Sequence, residues 1–266
     1  MGRIEHTFTQ LKRQKRAGLI PFVTAGDPDI DTTFEIMRTL EQAGADIIEL
    51  GMPFSDPAAD GPTIQAASQR ALDAGTSLED VLTLVERFRA VSDIPVVLMG
   101  YYNPIYVYGM ERFAARAASA GVDGLLLVDV PFEHRDEIRE YLDPHAIRSI
   151  TLIAPTTMDE RTQEMLHQAE GFVYYVSMTG VTGTASIDTS SIEQRVSQLG
   201  KLSPVPVAVG FGITTGADAR QVAGFADAVV VGSALVKVIQ RYSGRAELLD
   251  KVSEFVKDLR QGIEQA

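Results

Sequence analysis

The chain has 266 residues, close to the roughly 250 that one α/β barrel commonly uses. It carries 24 Lys+Arg against 36 Asp+Glu, a formal charge of -12, with 45% hydrophobic residues and neither Cys nor Trp. These numbers exclude disulfides, thiolate chemistry and Cys-ligated metals. They argue against nucleic acid and anionic membranes, which need a basic surface, and against disorder, because the apolar content can fill a large core.

The first segment, with Ile4, Phe8 and Leu11 at helical spacing, predicts a short helix and lacks the apolar run of a signal peptide. Strands are then expected at 19–23, 46–50, 95–99, 124–129, 149–153, 172–176, 205–209 and 227–231. Most are apolar on both faces, as in parallel strands covered by helices. Between the second and third, the widest gap, Ser77-x-x-Asp80 forms a capping box ahead of Val81, Leu84, Val85, Phe88 and Val91. Thr157-x-x-Glu160 marks another helix start, and Leu248, Val252, Phe255, Leu259 and Ile263 form the stripe of a terminal helix. Three strands are preceded by a related pattern: Ala43-Gly44-Ala45-Asp46, Ala120-Gly121-Val122-Asp123 and Ala223-Gly224-Phe225-Ala226-Asp227. In each, Gly is expected to supply a left-handed helix cap. The longest apolar runs, 124–128 and 226–232, are too short to span a bilayer, and a cytoplasmic protein is expected.

No linker or composition shift divides the chain, so one domain over 1–266 is expected. Eight strands, each followed by helical sequence, predict an α/β (β/α)8 TIM barrel with an extra N-terminal helix and long loops after strands two and six. The rival, a doubly wound open sheet, usually shows a Gly-rich fingerprint after its first strand; here that strand ends in Thr24-Ala25-Gly26-Asp27-Pro28.

In a barrel, chemistry sits at the C-terminal strand ends. In the second strand, Ile48 and Leu50 suit the helix layer, so Glu49 should point into the barrel mouth. A carboxyl there is costly unless exposed, paired or used, and burial raises its pKa toward the range of a general acid or base. A Glu at a frayed strand end, held by a hydrogen bond, is the plainer alternative. The following loop, 51–62, is longer than a turn needs. By spacing alone Asp60 reads as a turn or cap residue, and Asp56 still more so. Small residues recur after the last three strands: Thr179-Gly180-Val181-Thr182-Gly183-Thr184, Gly210-Phe211-Gly212-Ile213 and Val231-Gly232-Ser233-Ala234. Backbone N–H groups and a helix N-terminus there suit phosphate. No Lys falls at the C-terminal end of an expected strand, which argues against Schiff-base chemistry, and the four His are scattered rather than clustered for a metal.

The run Ile48-Glu49-Leu50-Gly51-Met52-Pro53-Phe54-Ser55-Asp56-Pro57-Ala58-Ala59-Asp60-Gly61-Pro62 resembles the signature of the tryptophan synthase alpha chain family. So do the segments at 21–28, 99–104, 129–131, 180–183 and 210–213, so the likeness covers nearly the whole sequence. The resemblance implies retro-aldol cleavage of indole-3-glycerol phosphate to indole and glyceraldehyde 3-phosphate, without metal or cofactor. It implies that Glu49 handles the proton at indole C3 and the substrate hydroxyl. It lifts Asp60 from turn residue to catalytic residue, acting at the indole nitrogen. It implies that Phe22, Leu98, Tyr101, Leu127, Ile153, Tyr174 and Thr182 line the pocket, with strand alternation agreeing for Phe22, Leu127 and Tyr174; ordinary barrel packing is the alternative for each apolar member. Gly183, Phe211, Gly212, Gly232 and Ser233 would receive the phosphate. A beta-chain partner in an αββα assembly is implied as well, met by the loops at 52–62, 101–104 and 180–184. Other readings are another phosphate-binding barrel, or an inactive activator of the beta chain; the activator would lack one of the two carboxylates, and both are present.

Overall fold

The computed structural model describes residues 2–176, 189–210 and 212–266. The strands are β1 Gly18–Thr24, β2 Ile48–Gly51, β3 Val96–Gly100, β4 Gly124–Leu127, β5 Arg148–Ser149, β6 Thr151–Ile153, β7 Val173–Val176, β8 Val207–Gly210 and β9 Ala228–Val231. All pairings are parallel, in the order β5-β4-β3-β2-β1-β9-β8-β7-β6. First and last strands pair through Gly18↔Ala228 to Pro21↔Val231. The expected fifth strand at 149–153 is broken at Ile150: β5 pairs with β4 and β6 with β7. These two short pieces are one bent strand, and the fold is the expected (β/α)8 TIM barrel.

Alternation sorts the strand residues into two cores. Ile20, Ile47, Val97, Leu126, Ile150, Phe172, Ala208, Ala228 and Val230 fill the barrel interior. Ile4, Phe8 and Leu11 from the helix Arg3–Gln14 join them, so this extra helix plugs the N-terminal end of the barrel. The opposite faces, including Ile48, Leu50, Val96, Val173 and Val229, pack with the surrounding helices in a second, larger core. The wide gap after β2 holds two helices, Pro62–Asp73 and Leu78–Arg89, and the second starts at the expected capping box: Ser77 accepts from the Asp80 N–H while Asp80 accepts from the Ser77 N–H.

Three local expectations need correction. Gly44 and Gly121 adopt φ of +104° and +87°, but Gly224 has φ -67°. The third repeat has one residue more, and the N–H groups of Phe225 and Ala226 both reach Val222 O, which continues a right-handed turn. Thr157 does not cap a helix: its hydroxyl accepts from the Ala154 N–H, and the helix Asp159–His167 follows Met158 instead. Val91, expected on the stripe of the helix Leu78–Arg89, lies beyond its last turn and is 60% exposed.

The repeated Asp has one job each time. Asp46 Oδ2 accepts from the Leu19 N–H at 2.9 Å, Asp123 Oδ2 from Val96 N–H at 2.9 Å and Asp227 Oδ2 from Val207 N–H at 2.8 Å. Each carboxylate therefore satisfies a donor at the start of a neighbouring strand, at the barrel end opposite the candidate site. Arg89 and Arg260 complete two of these clamps: Arg89 binds Asp123 and the Gly121 carbonyl, and Arg260 binds Asp46 and the Ala17 carbonyl. Among the described residues, no helix is long and apolar enough to cross a membrane.

Candidate active site

Glu49 sits in β2 opposite Phe22 of β1 and Val97 of β3. Parallel partners share a face, so Glu49 faces the interior with them. It is 2% exposed, and its Oε2 has no hydrogen-bond partner among the described residues. Burial, reinforced by the nearby charge of Asp60, raises its pKa from 4.5 to about 8. It is therefore protonated at neutral pH, not the hydrogen-bonded Glu of a frayed strand end.

Asp60 arrives on the loop between β2 and the helix Pro62–Asp73. Pro57 O accepts from the Asp60 N–H at 3.0 Å, and Gln65 donates to Asp60 O at 2.8 Å, which folds the loop onto the helix it precedes. Gly61, not Asp60, is the residue before that helix, and no side chain caps it. The Asp60 carboxylate is used elsewhere: the Tyr101 hydroxyl donates to Oδ2 at 3.1 Å and accepts from the Ala59 N–H at 3.0 Å. Burial raises the Asp60 pKa, while the Tyr101 hydrogen bond pulls it down by favouring the ionised form. Two carboxyls thus share one region in different environments, one buried with an oxygen unpartnered among the described residues and one held at its oxygen by a phenol. Burial, then the charges of Glu49 and Asp60, keep the Tyr174 phenol neutral by raising its pKa well above 10.

Small residues make this crowding feasible. A Cβ on Gly51 would lie 2.6 Å from the Phe22 ring, and one on Gly210 would lie 2.5 Å from the Tyr174 hydroxyl. Phe22, Thr24, Asp60, Met99, Gly100 and Tyr101 border a small cavity of about 10 Å³, which holds roughly one water. Across the mouth, Gly232 precedes the helix Ser233–Tyr242, whose first turn carries no side-chain cap.

The family model for the tryptophan synthase alpha chain matches residues 8–264. The chain belongs to the tryptophan synthase alpha chain family. A family member from Geobacter sulfurreducens is 51% identical over 263 residues, 99% of each chain. A crystal structure of the subunit from Legionella pneumophila str. Paris superposes with a TM-score of 0.93 at 40% identity, covering 100% of both chains. A chain of aminoacrylate-bound tryptophan synthase from M. tuberculosis gives 0.88 at 32% identity, covering 99% of this chain and 100% of that one.

Against this family background, the structure brings Glu49, Asp60, Phe22, Tyr101 and Tyr174 to one end of the barrel interior, with Gly232 beside Phe22. Leu98, Leu127 and Ile153 do not join them. Leu98 pairs with Leu50, and Ile153 pairs with Tyr175, both in the helix-side core. Leu127 pairs with Gly100 and shares the face of Leu125 and Leu98. The inward positions are their neighbours Met99, Leu126, Val128 and Leu152, which sequence reasoning missed. The register to Glu49 was the signal that could have found them. Gly212, with φ +32°, follows β8, and Ser233 opens the helix after β9. Thr182, Gly183 and Phe211 lie outside the described residues.

Proposed function

We propose that this chain, one barrel unit over residues 1–266, is a carbon–carbon lyase that cleaves indole-3-glycerol phosphate. The observation that carries the reading is the buried, protonated Glu49 beside a Tyr101-held Asp60. Glu49 donates its proton to indole C3, and the Asp60 carboxylate stabilises the positive charge that develops at the ring nitrogen. The Glu49 carboxylate so formed takes the proton of the substrate hydroxyl. The C–C bond breaks, its electrons neutralise the ring, and indole and glyceraldehyde 3-phosphate leave with Glu49 protonated again. Protons balance over the cycle, and no cofactor is needed. Phe22, Met99 and Tyr174 flank the ring, with Thr182 added from the resemblance. Backbone N–H groups around Gly183, Phe211, Gly212, Gly232 and Ser233 receive the phosphate, a local field that net charge does not oppose.

Closure of the acidic loop over bound substrate completes the site and responds to the partner. In this cytoplasmic reading, a beta chain in an αββα assembly takes the indole. The helix Tyr102–Tyr108 supports a contact there: Tyr106 and Val107 are exposed, a surface composition favoured at interfaces.

The test is to incubate the chain with indole-3-glycerol phosphate and assay indole with and without a beta chain. Indole forms alone and faster with the partner; no indole in either case removes the lyase reading. Glu49→Gln and Asp60→Asn each lower kcat by about 100-fold or more while leaving the fold intact. Near-normal turnover in either variant removes that residue from the mechanism.

A further inference from the structure

The helix Pro62–Asp73, which follows Asp60, has a shallow apolar grip on the barrel. Its buried residues are Ala67, Ser68 and Ala71, all small, and its start carries no side-chain cap. Side chains of this size remove little apolar area from water, so they set the helix only loosely. The helix nevertheless walls the site. Ala67 clusters with Phe22, and Ile64 and Ser68 border the small cavity beside Asp60.

A polar contact supplies a firmer hold. Arg70, in the last turn of the helix, donates from Nε and Nη2 to the two carboxylate oxygens of Asp27, at 2.8 and 2.7 Å. The Asp27 side chain is 3% exposed and that of Arg70 is 30% exposed. A two-pronged, charge-assisted pair with one partner buried fixes direction as well as distance. Asp27 lies on the loop after β1, and that loop meets the same segment again. A Cβ on Gly26, at φ +84°, would lie 2.0 Å from the Thr76 hydroxyl. The contacts form a chain. It runs from β1 through Asp27 and Arg70 to the helix, and through Gln65 to the Asp60 carbonyl. From the Asp60 carboxylate it continues through Tyr101 to the end of β3. Asp60 is thus held from both strands that flank β2.

We propose that Asp27 and Arg70 are positioning residues, whose pair sets the helix so that the Asp60 carboxylate meets the Tyr101 hydroxyl. The assignment rests on the reading of Asp60 as a catalytic residue. Arg70→Met removes the pair. Arg70→Lys still neutralises the buried Asp27, which protects the fold, but loses the two-pronged geometry. Both changes are made in the parent and in Tyr101→Phe. In the parent, Arg70→Met lowers kcat for indole formation about tenfold and Arg70→Lys about threefold, with KM changed less than about twofold. In Tyr101→Phe neither costs more than about twofold, because the contact that the pair serves is already gone. The Tyr101 hydrogen bond pulls the Asp60 pKa down, so losing it moves the Asp60 titration to higher pH. Carboxyl-carbon NMR of Asp60 is expected to show that movement in Arg70→Met as in Tyr101→Phe. Glu49 and Tyr174, the other titrating groups that feel the Asp60 charge, stay in every variant. Equal fold-losses in the two backgrounds, a change in KM alone, or an Asp60 titration unmoved in both Arg70 variants overturns the proposal and leaves the lyase reading standing. The titration needs no turnover, so a parent that forms no indole removes the lyase reading and leaves the Asp60 test intact.

Discussion

Glu49 shows how a single position links folding to chemistry. In the unfolded chain its pKa is the ordinary 4.5, and in the barrel it is about 8. The folded state therefore binds a proton that the unfolded state releases between those values. The stability this contributes is fully present below about pH 4.5 and is lost as pH rises through 8, by roughly 3 kcal/mol once relaxation is allowed for. Glu49→Gln cannot titrate and escapes the loss. In urea denaturation the variant is therefore expected to gain on the parent between pH 5 and pH 8.5; a constant difference would mean that Glu49 is not buried as a neutral acid. Asp60 behaves differently because Tyr101 lends it a hydrogen bond. The same phenol holds the Ala59 N–H, so one side chain both biases the charge of Asp60 and pins the backbone next to it.

At the scale of elements, the repeated Ala-Gly-x-Asp segments carry a stability argument that the sequence pattern only partly revealed. A Cβ on Gly121 would lie 2.9 Å from Arg89 Cγ in a backbone at φ +87°. Gly121→Ala is expected to cost about 2 kcal/mol or more. The matching change at Gly224, with φ -67° and no neighbouring atom closer than 3.4 Å, should shift stability by less than about 0.5 kcal/mol or raise it. Chemical denaturation of the two variants checks this, and equal costs would refute it. Strand positions were legible to within a few residues because Gly, Pro and Asp punctuate apolar runs. Facing was legible where polarity broke the run, as at Glu49 between Ile48 and Leu50. It is not legible in β3 and β4, where both faces are apolar and only pairing to a neighbour sets parity: the resemblance implies Leu98 and Leu127 for the pocket, with alternation agreeing for Leu127, and the register puts both on the helix side. Asp60 was legible only through the family resemblance, because its partner Tyr101 is 41 residues away.

Across the whole molecule, the barrel is evenly paired except at the β4–β6 seam. Fewer ladder bonds there lower the cost of local opening. In hydrogen-exchange mass spectrometry the amides of β6 should exchange faster than those of β1, β2 and β9; equal protection would show that the seam is as tight as the rest. The opposite side of the barrel carries a different constraint, because β1 is closed by β9, the last strand of the chain. During synthesis the first strand leaves the ribosome with one edge whose partner, β9, is the last barrel strand to emerge. Until then a strand edge with buried-type residues on both faces is exposed, and it is open to pairing with other chains. The helix Arg3–Gln14 faces the same wait, since its apolar side seals an interior that does not exist until the ring closes. The closed barrel therefore leaves its first strand and its plugging helix among the last elements to become safe from aggregation.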